Sequence, residues 1–329
     1  MVDRRTRVLI TIDTEFSMGG YFRGKNRKPV PADRHIFCLI NNKDYGINLI
    51  MDILEDYGLR GVFFVETEAR YYFGEGELLN IIDNIVRRNH EVQLHTHPTF
   101  RFFLTKKRAS DDMRRYSLED QTVILDDALA FLSSHGVQGL LAYRPGNFNA
   151  NHDTLRAVEK VGLKFTSFSN YTYRECYDML SRAFKNDLFA IGKITETPVT
   201  CFKQFPIRKE WNSFQICAAS CNEIKSALDF YHKQGMQLAT LLTHSFEFVR
   251  PSDLQFSKIT PKSTLIKRFK CIANYLAENS SRFQVVTYRE LNDLITQSSL
   301  NLEKKEIELY KSPLLTTLHR YFFNMISKI

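Results

Sequence analysis

Arg7-Val8-Leu9-Ile10-Thr11-Ile12-Asp13-Thr14-Glu15 is the stretch on which the reading of the fold turns. Val8–Ile12 is β-rich, and it runs into two acids spaced two apart. Side chains alternate along a strand, so Asp13 and Glu15 share one side. No Gly-x-Gly-x-x-Gly follows, so a dinucleotide site at this strand end is not indicated. Two carboxylates at one strand end are costly to bury unless a cation or a shared proton offsets their repulsion.

Outward from this stretch, strand-like and helix-like segments alternate. Gly61–Val65, Glu91–His97, Leu140–Tyr143, Lys164–Phe168, Leu238–Thr243 and Phe283–Thr287 read as further strands. Ile47–Asp56 has helical apolar spacing through Ile47, Ile50, Met51 and Leu54. Glu77–Arg88, Leu118–Ser134, Asp153–Val161, Asn222–Lys233, Thr264–Glu278 and Tyr288–Thr296 read as helices too. Such alternation argues for βα units and a parallel sheet. The expected fold is α/β: a single distorted (β/α)7 barrel over residues 1–297, with a C-terminal amphipathic helical tail over 298–329. An open doubly wound sheet is the second choice. A barrel places its site at the C-terminal ends of the strands. Ser17–Pro31, Gly-rich and basic, and Tyr171–Asn186 read as insertions into loops.

The 329 residues are 43% hydrophobic and 25% charged, which excludes a disordered chain. The net charge of +8 suggests an anionic partner such as a phosphate, an acidic glycan or a membrane surface. No nucleic-acid partner is expected. Met1–Arg5 lacks the apolar run of a signal peptide, and no apolar segment is long enough to span a bilayer. A cytoplasmic protein is the expectation. The six cysteines (38, 176, 201, 217, 221 and 271) then read as buried thiols.

Three more segments carry chemistry. In Glu91-Val92-Gln93-Leu94-His95-Thr96-His97, the two histidines share a strand face. Imidazoles so placed suit Zn²⁺, with a carboxylate as third ligand and a fourth position open. His90, ahead of them, reads as structural. In Tyr143-Arg144-Pro145-Gly146-Asn147-Phe148, Arg144 is suited to hold a carboxylate and fix its orientation. The Gly146–Asn147 turn is suited to offer a backbone N–H to an oxyanion. In Thr243-His244-Ser245-Phe246-Glu247-Phe248, His244 ends an apolar strand and suits general acid work. Each segment alone is a weak signal. Their joint placement after strands gives them weight.

With these four segments in this order, residues 7–295 resemble the polysaccharide deacetylase family, carbohydrate esterase family 4 in the broad sense. Ile194-Thr195-Glu196-Thr197-Pro198-Val199-Thr200 is similar to a strand the family places before its last motif. The resemblance implies metal-assisted removal of an N-acetyl or other N-acyl group from an acetamido sugar. Asp13 would be the base, Arg144 would orient it, and His244 would protonate the departing amine. Glu15 and His95 would bind the metal, Zn²⁺ first, with Co²⁺ or Ni²⁺ also accepted. Asn147, Phe148 and Glu247 would lie on the substrate and oxyanion side. Two departures stand out. Thr14 separates the acids of the first motif, and Thr99 stands where the commoner second motif has a histidine. His97, on the same strand face as His95, is the natural substitute ligand. Hydrolysis of a small non-sugar amide and glycan binding without catalysis stay open as alternatives.

The tail, Leu314–Ile329, carries Leu314, Leu315, Leu318, Tyr321, Phe322, Met325, Ile326 and Ile329 on one helical stripe. Packing on the barrel or on a second copy is one expectation. An interfacial helix on the inner face of a membrane is the other. The latter would bring the protein to lipid-linked glycans of surface-polysaccharide (O-antigen or capsule) assembly, and a nucleotide-linked sugar is a further substrate form to consider.

Overall fold

The strand that starts the chain, β1 (Thr6–Thr14), is buried along its whole length. Both its faces are therefore covered, as a parallel sheet ringed by helices requires. The computed structural model describes residues 3–23, 27–103, 110–173, 176, 186–205, 210–303 and 306–326. From β1 the sheet passes in parallel through β2 (Val62–Glu66), β3 (Glu91–Thr96), β4 (Ala142–Pro145) and β5 (Phe165–Thr166). β6 (Phe189–Ile191) is an antiparallel edge on β7 (Ile194–Glu196), and β7 is parallel to β5. β8 (Cys201–Lys203) and β9 (Trp211–Ser213) form a hairpin. β10 (Leu238–His244) returns to pair in parallel with the other edge of β1. β11 (Val249–Pro251) and β12 (Ile259–Pro261) make a second hairpin, and β13 (Phe283–Val285) pairs in parallel with the start of β1.

β1 to β5 with β7 and β10 are the seven strands of the (β/α)7 barrel, and β13 adds a short eighth parallel strand beside the start of β1. The ring closes without a continuous ladder. Thr200 N–H donates to Thr240 O at 3.1 Å, Ile216 N–H to Leu242 O at 3.0 Å, and Leu242 N–H to Phe214 O at 2.9 Å. The distortion therefore sits where the β8–β9 hairpin replaces a regular strand.

Alternation along β1 divides its side chains. Val8, Ile10 and Ile12 join the large core under the helices. Leu9 joins Val62, Phe64, Ala142, Phe165 and Tyr288 in a second cluster. The helices begin where the sequence offers caps. Asn151, Ser220 and Thr287 each close a capping box with Thr154, Glu223 and Glu290. A cap of this kind contributes about 1 kcal/mol.

Three expectations meet the structure here, and the first of them changes. Cys221 and Cys271 are joined in a disulfide, so not all six cysteines are thiols. Such pairs persist mainly in oxidising compartments. Most of the Tyr171–Asn186 insertion lies outside the described residues. The tail, third, is strapped to the barrel by its backbone. Lys203 N–H donates to Tyr310 O at 2.9 Å, and Ser312 N–H to Lys203 O at 2.8 Å. The helix Leu314–Ile326 then buries Thr317 and Arg320, while Leu315 is 79% and Phe322 61% exposed. It packs on the barrel by its polar side, and Leu314, Leu315, Leu318 and Phe322 face out. The cause is a buried ion pair: Arg320 Nε lies 2.8 Å from Glu223 on the helix Cys221–Lys233.

Candidate active site

Parallel strands in near register bring the distant segments to one mouth. Asp13 of β1 is the register partner of His244 on β10. His95 of β3 is the partner of Arg144 on β4.

Around Glu15 the geometry is that of a ligand set. Glu15 Oε2 lies 2.8 Å from His97 Nε2 and 3.3 Å from His95 Nε2, and the two Nε2 atoms are 3.2 Å apart. Each ring is aimed by its other nitrogen. His95 Nδ1–H donates to the Arg144 carbonyl at 2.7 Å, and His97 Nδ1 faces Asp111 Oδ2 at 3.3 Å. An oxygen on Nδ1 fixes the tautomer and frees Nε2 for a metal. The ligand atoms of Glu15, His95 and His97 all lie within 4.8 Å of one another. This set fits an ion of the Zn²⁺ kind with an open position.

Burial would raise the Glu15 carboxyl, but His97 and His95 hold it well below the usual carboxylate range. Burial opposes a charge on His97, yet Asp111 and Glu15 raise it well above the usual imidazole value. A cation held by this set would have to displace the proton from His97.

Two features of this half escape sequence reading. Asp111 sits in a loop with no periodic signal, and it accepts the backbone N–H of Thr99 at 3.4 Å. Thr99, the residue in place of the commoner histidine, thus helps hold the acid that aims His97. Gly146 is the other: a Cβ there would fall 2.6 Å from His97 Cε1.

The neighbouring group joins two acids, an arginine and a histidine. Arg144 is fully buried, and its Nη1 donates to Asp13 Oδ1 at 2.5 Å. Its Nη2 donates to Thr11 Oγ1 and Ser167 Oγ, both at 3.0 Å. Its guanidinium lies 4.2 Å from the Phe64 ring centroid, a cation–π contact that further fixes its plane. His244 Nε2 stands 3.8 Å from Asp13 Oδ2, and His244 Nδ1 donates to Glu247 Oε1 at 3.0 Å. Burial works against a charged His244, but the Glu247 bond and the charges of Glu247, Glu15 and Asp13 carry its pKa up to about 9.

Glu247, expected on the substrate and oxyanion side, is placed differently. It is buried behind His244, and it also accepts from Gln215 Nε2 at 2.7 Å and Thr243 Oγ1 at 2.8 Å. An anion so engaged cannot donate to an oxyanion. Asn147 is exposed at the rim with φ 54°, and Phe148 follows with φ 57°. Consecutive left-handed residues store strain, which is common at functional sites. The Phe148 ring is buried 5.6 Å from the Arg144 guanidinium. His90, read as structural, accepts the Gly61 N–H at 2.9 Å and faces Glu55.

No protein-family model and no curated protein sequence matches the chain. Its fold does have solved counterparts. A protein from Mycobacterium smegmatis assigned as a polysaccharide deacetylase superposes with a TM-score of 0.54 at 14% identity, over 94% of this chain and 96% of its own. The chain has the polysaccharide deacetylase fold. The 4-alpha-glucanotransferase of Thermococcus litoralis also superposes, with a TM-score of 0.52 at 11% identity, over 98% of this chain and 46% of that one. One fold hosts several chemistries, so side chains must decide the activity. On this deacetylase fold, Asp13, Glu15, His95, His97, Arg144 and His244 meet at one mouth. Asn147 and Phe148 stand at its rim.

Proposed function

We propose that the chain is a metal-dependent hydrolase that removes an N-acetyl group from an acetamido sugar. The observation that carries this reading is the adjacency of two units: the Glu15–His95–His97 ligand set, and an Asp13–Arg144 pair facing a His244–Glu247 pair. Glu15, His95 and His97 would hold a divalent ion, Zn²⁺ or otherwise Co²⁺ or Ni²⁺, which would acidify water and polarise the acyl carbonyl. Asp13 takes the proton of the attacking water, and Arg144 keeps its carboxylate aimed. The N–H groups of the Gly146–Asn147 turn face the developing oxyanion, with Phe148 beside them. His244 gives its proton to the leaving nitrogen as the C–N bond breaks. Acetate and a free amine are the products.

The same reading extends to place and partner. Among the described residues no helix is long and apolar enough to cross a membrane. The outward Leu314, Leu315, Leu318 and Phe322 support peripheral contact with an anionic membrane, and so a lipid-linked glycan of surface-polysaccharide assembly. The same stripe could instead pair two copies of the chain. A cytoplasmic location belongs to this reading.

Metal analysis joined to acetate release from a panel of acetamido sugars tests the proposal. Acetate release that is lost to a chelator and restored by a divalent ion supports it. A purified protein that neither holds nor responds to any divalent metal sinks it. Small amides in the same panel separate sugar from non-sugar substrates.

A further inference from the structure

Tyr173 stands beside both sides of the mouth, and its hydroxyl is spent on neither. It lies shortly after β5, near the start of the Tyr171–Asn186 insertion. Its ring is 5.1 Å from that of Phe148, and Val199 and Leu242 complete the apolar cluster around it. It lines one opening with Gln215 and Cys217, which both bond Glu247, the partner of His244, at 2.7 and 3.1 Å. The turn that carries it is fixed. Buried Asn170 accepts the N–H and the hydroxyl of Thr172 at 3.2 and 2.7 Å, and its carbonyl accepts the Tyr173 N–H at 2.9 Å.

Other donors around the mouth are committed. Arg144 donates to Asp13, while Gln215, Cys217 and Thr243 donate to Glu247. The Tyr173 hydroxyl has no hydrogen-bond partner among the described residues. Burial first, and then the charges of Asp13, Glu15 and Glu247, push its pKa up. It therefore keeps its proton and remains a donor. A buried aromatic hydroxyl ordinarily finds a partner within the chain. Here a rigid turn and a packed ring hold one ready beside the groups that would cleave an amide. A donor already in place costs no reorganisation when charge develops on a reacting oxygen.

We propose that the Tyr173 hydroxyl is a catalytic hydrogen-bond donor to the oxyanion formed when water adds to the N-acetyl carbonyl. This role rests on the de-N-acetylase reading. In that step the water oxygen bonds to the acyl carbon, the carbonyl electron pair moves onto its oxygen, and Asp13 takes the water proton. Tyr173 donates a hydrogen bond to that oxygen and keeps its own proton. As the pair returns, the C–N bond breaks and His244 protonates the nitrogen, so acetate and a free amine leave.

The probes are N-acetylglucosamine and its N-trifluoroacetyl analogue, each assayed with the metal-loaded wild type and with Tyr173→Phe. Phenylalanine keeps the ring against Phe148 and loses only the oxygen. Metal content and thermal midpoint should stay at wild-type values. On the acetyl sugar kcat should fall by about 10²- to 10³-fold with KM nearly unchanged, the loss of one oxyanion donor. Fluorine withdraws electrons and stabilises the oxyanion by itself, so the loss on the trifluoroacetyl sugar should be smaller by about tenfold or more. Equal losses on the two sugars make Tyr173 a structural residue and overturn the proposal, and so does a wild-type kcat in Tyr173→Phe. In both cases acetate release by the wild type leaves the de-N-acetylase reading standing. Wild-type turnover of neither probe, nor of any other acetamido sugar, overturns that reading and the role of Tyr173 with it.

Discussion

The two halves of the mouth are built from the same unit and put to different use. In each, a half-buried imidazole has its Nδ1 held by an acid: His97 by Asp111, and His244 by Glu247. What differs is the surroundings of Nε2. That of His97 lies within 3.2 Å of a second imidazole nitrogen and 2.8 Å of a carboxylate, the crowding that a cation relieves. That of His244 faces Asp13 at 3.8 Å, beyond direct hydrogen-bond reach, and among the described residues no second imidazole crowds it. The pair teaches that the imidazole–carboxylate unit is neutral as to role. On the proposed mechanism, neighbouring strands decide whether it holds a metal or moves a proton.

Substitutions can break this division of labour, and the largest effect should come where one half works without the other. Asp13→Asn should lower kcat by about 10³-fold, the scale of a lost general base, while metal content stays at the wild-type level. Loss of metal in that variant would mean the halves are not separate. Gly146→Ala should push His97 off its place and lower both metal affinity and kcat by about 10²-fold, the scale of an ångström misplacement. Unchanged metal affinity by competition with a chromogenic chelator would show that His97 does not ligate. Asp111→Asn should weaken metal affinity by about 10- to 100-fold, with Asp111→Glu recovering part of it. If metal affinity holds and only thermal stability moves, Asp111 is a loop residue and the parallel with Glu247 fails.

The smallest change sharpens the other half. A general acid must be protonated, so activity falls as pH rises through its pKa. For His244 that alkaline limb should lie near pH 9, because Glu247 holds the charged ring in place. Glu247→Gln removes the attraction, and burial then favours the neutral ring. The limb of kcat/KM should move to lower pH, with about a tenfold loss at pH 8. A limb that stays put would take the proton donor elsewhere.

The barrel was legible because periodicity changes between strand and helix along the whole chain. Ile47–Asp56, Leu118–Ser134 and Tyr288–Thr296 form the helices expected at those positions. The short antiparallel hairpins were not legible: β8 and β9 have three residues each, too few to set a pattern. In the mouth, residues at the ends of long strands could be read, since strand parity dictates which side they take. Asp111 could not, because loop residues have no parity. Nor could the placement of Glu247, three residues past His244 in a tight turn that folds it back beneath the ring. Which side of the tail helix meets the barrel was not legible, for an energetic reason. A stripe of apolar residues suggests the buried side, but the Arg320–Glu223 pair anchors the opposite one.

The Cys221–Cys271 bond divides the two halves in another way. Its sequence separation of 50 residues encloses all of β10, with His244 and Glu247, inside one covalent loop. Asp13, Glu15, His95 and His97 lie outside it. Closing a loop of that length removes unfolded-state entropy worth about 4 kcal/mol at room temperature. The same bond tethers the helix that carries Glu223, on which the C-terminal helix is moored. Opened by reductant, the loop would slacken the proton-donating side and the mooring together, while the histidine pair on β3 keeps its scaffold.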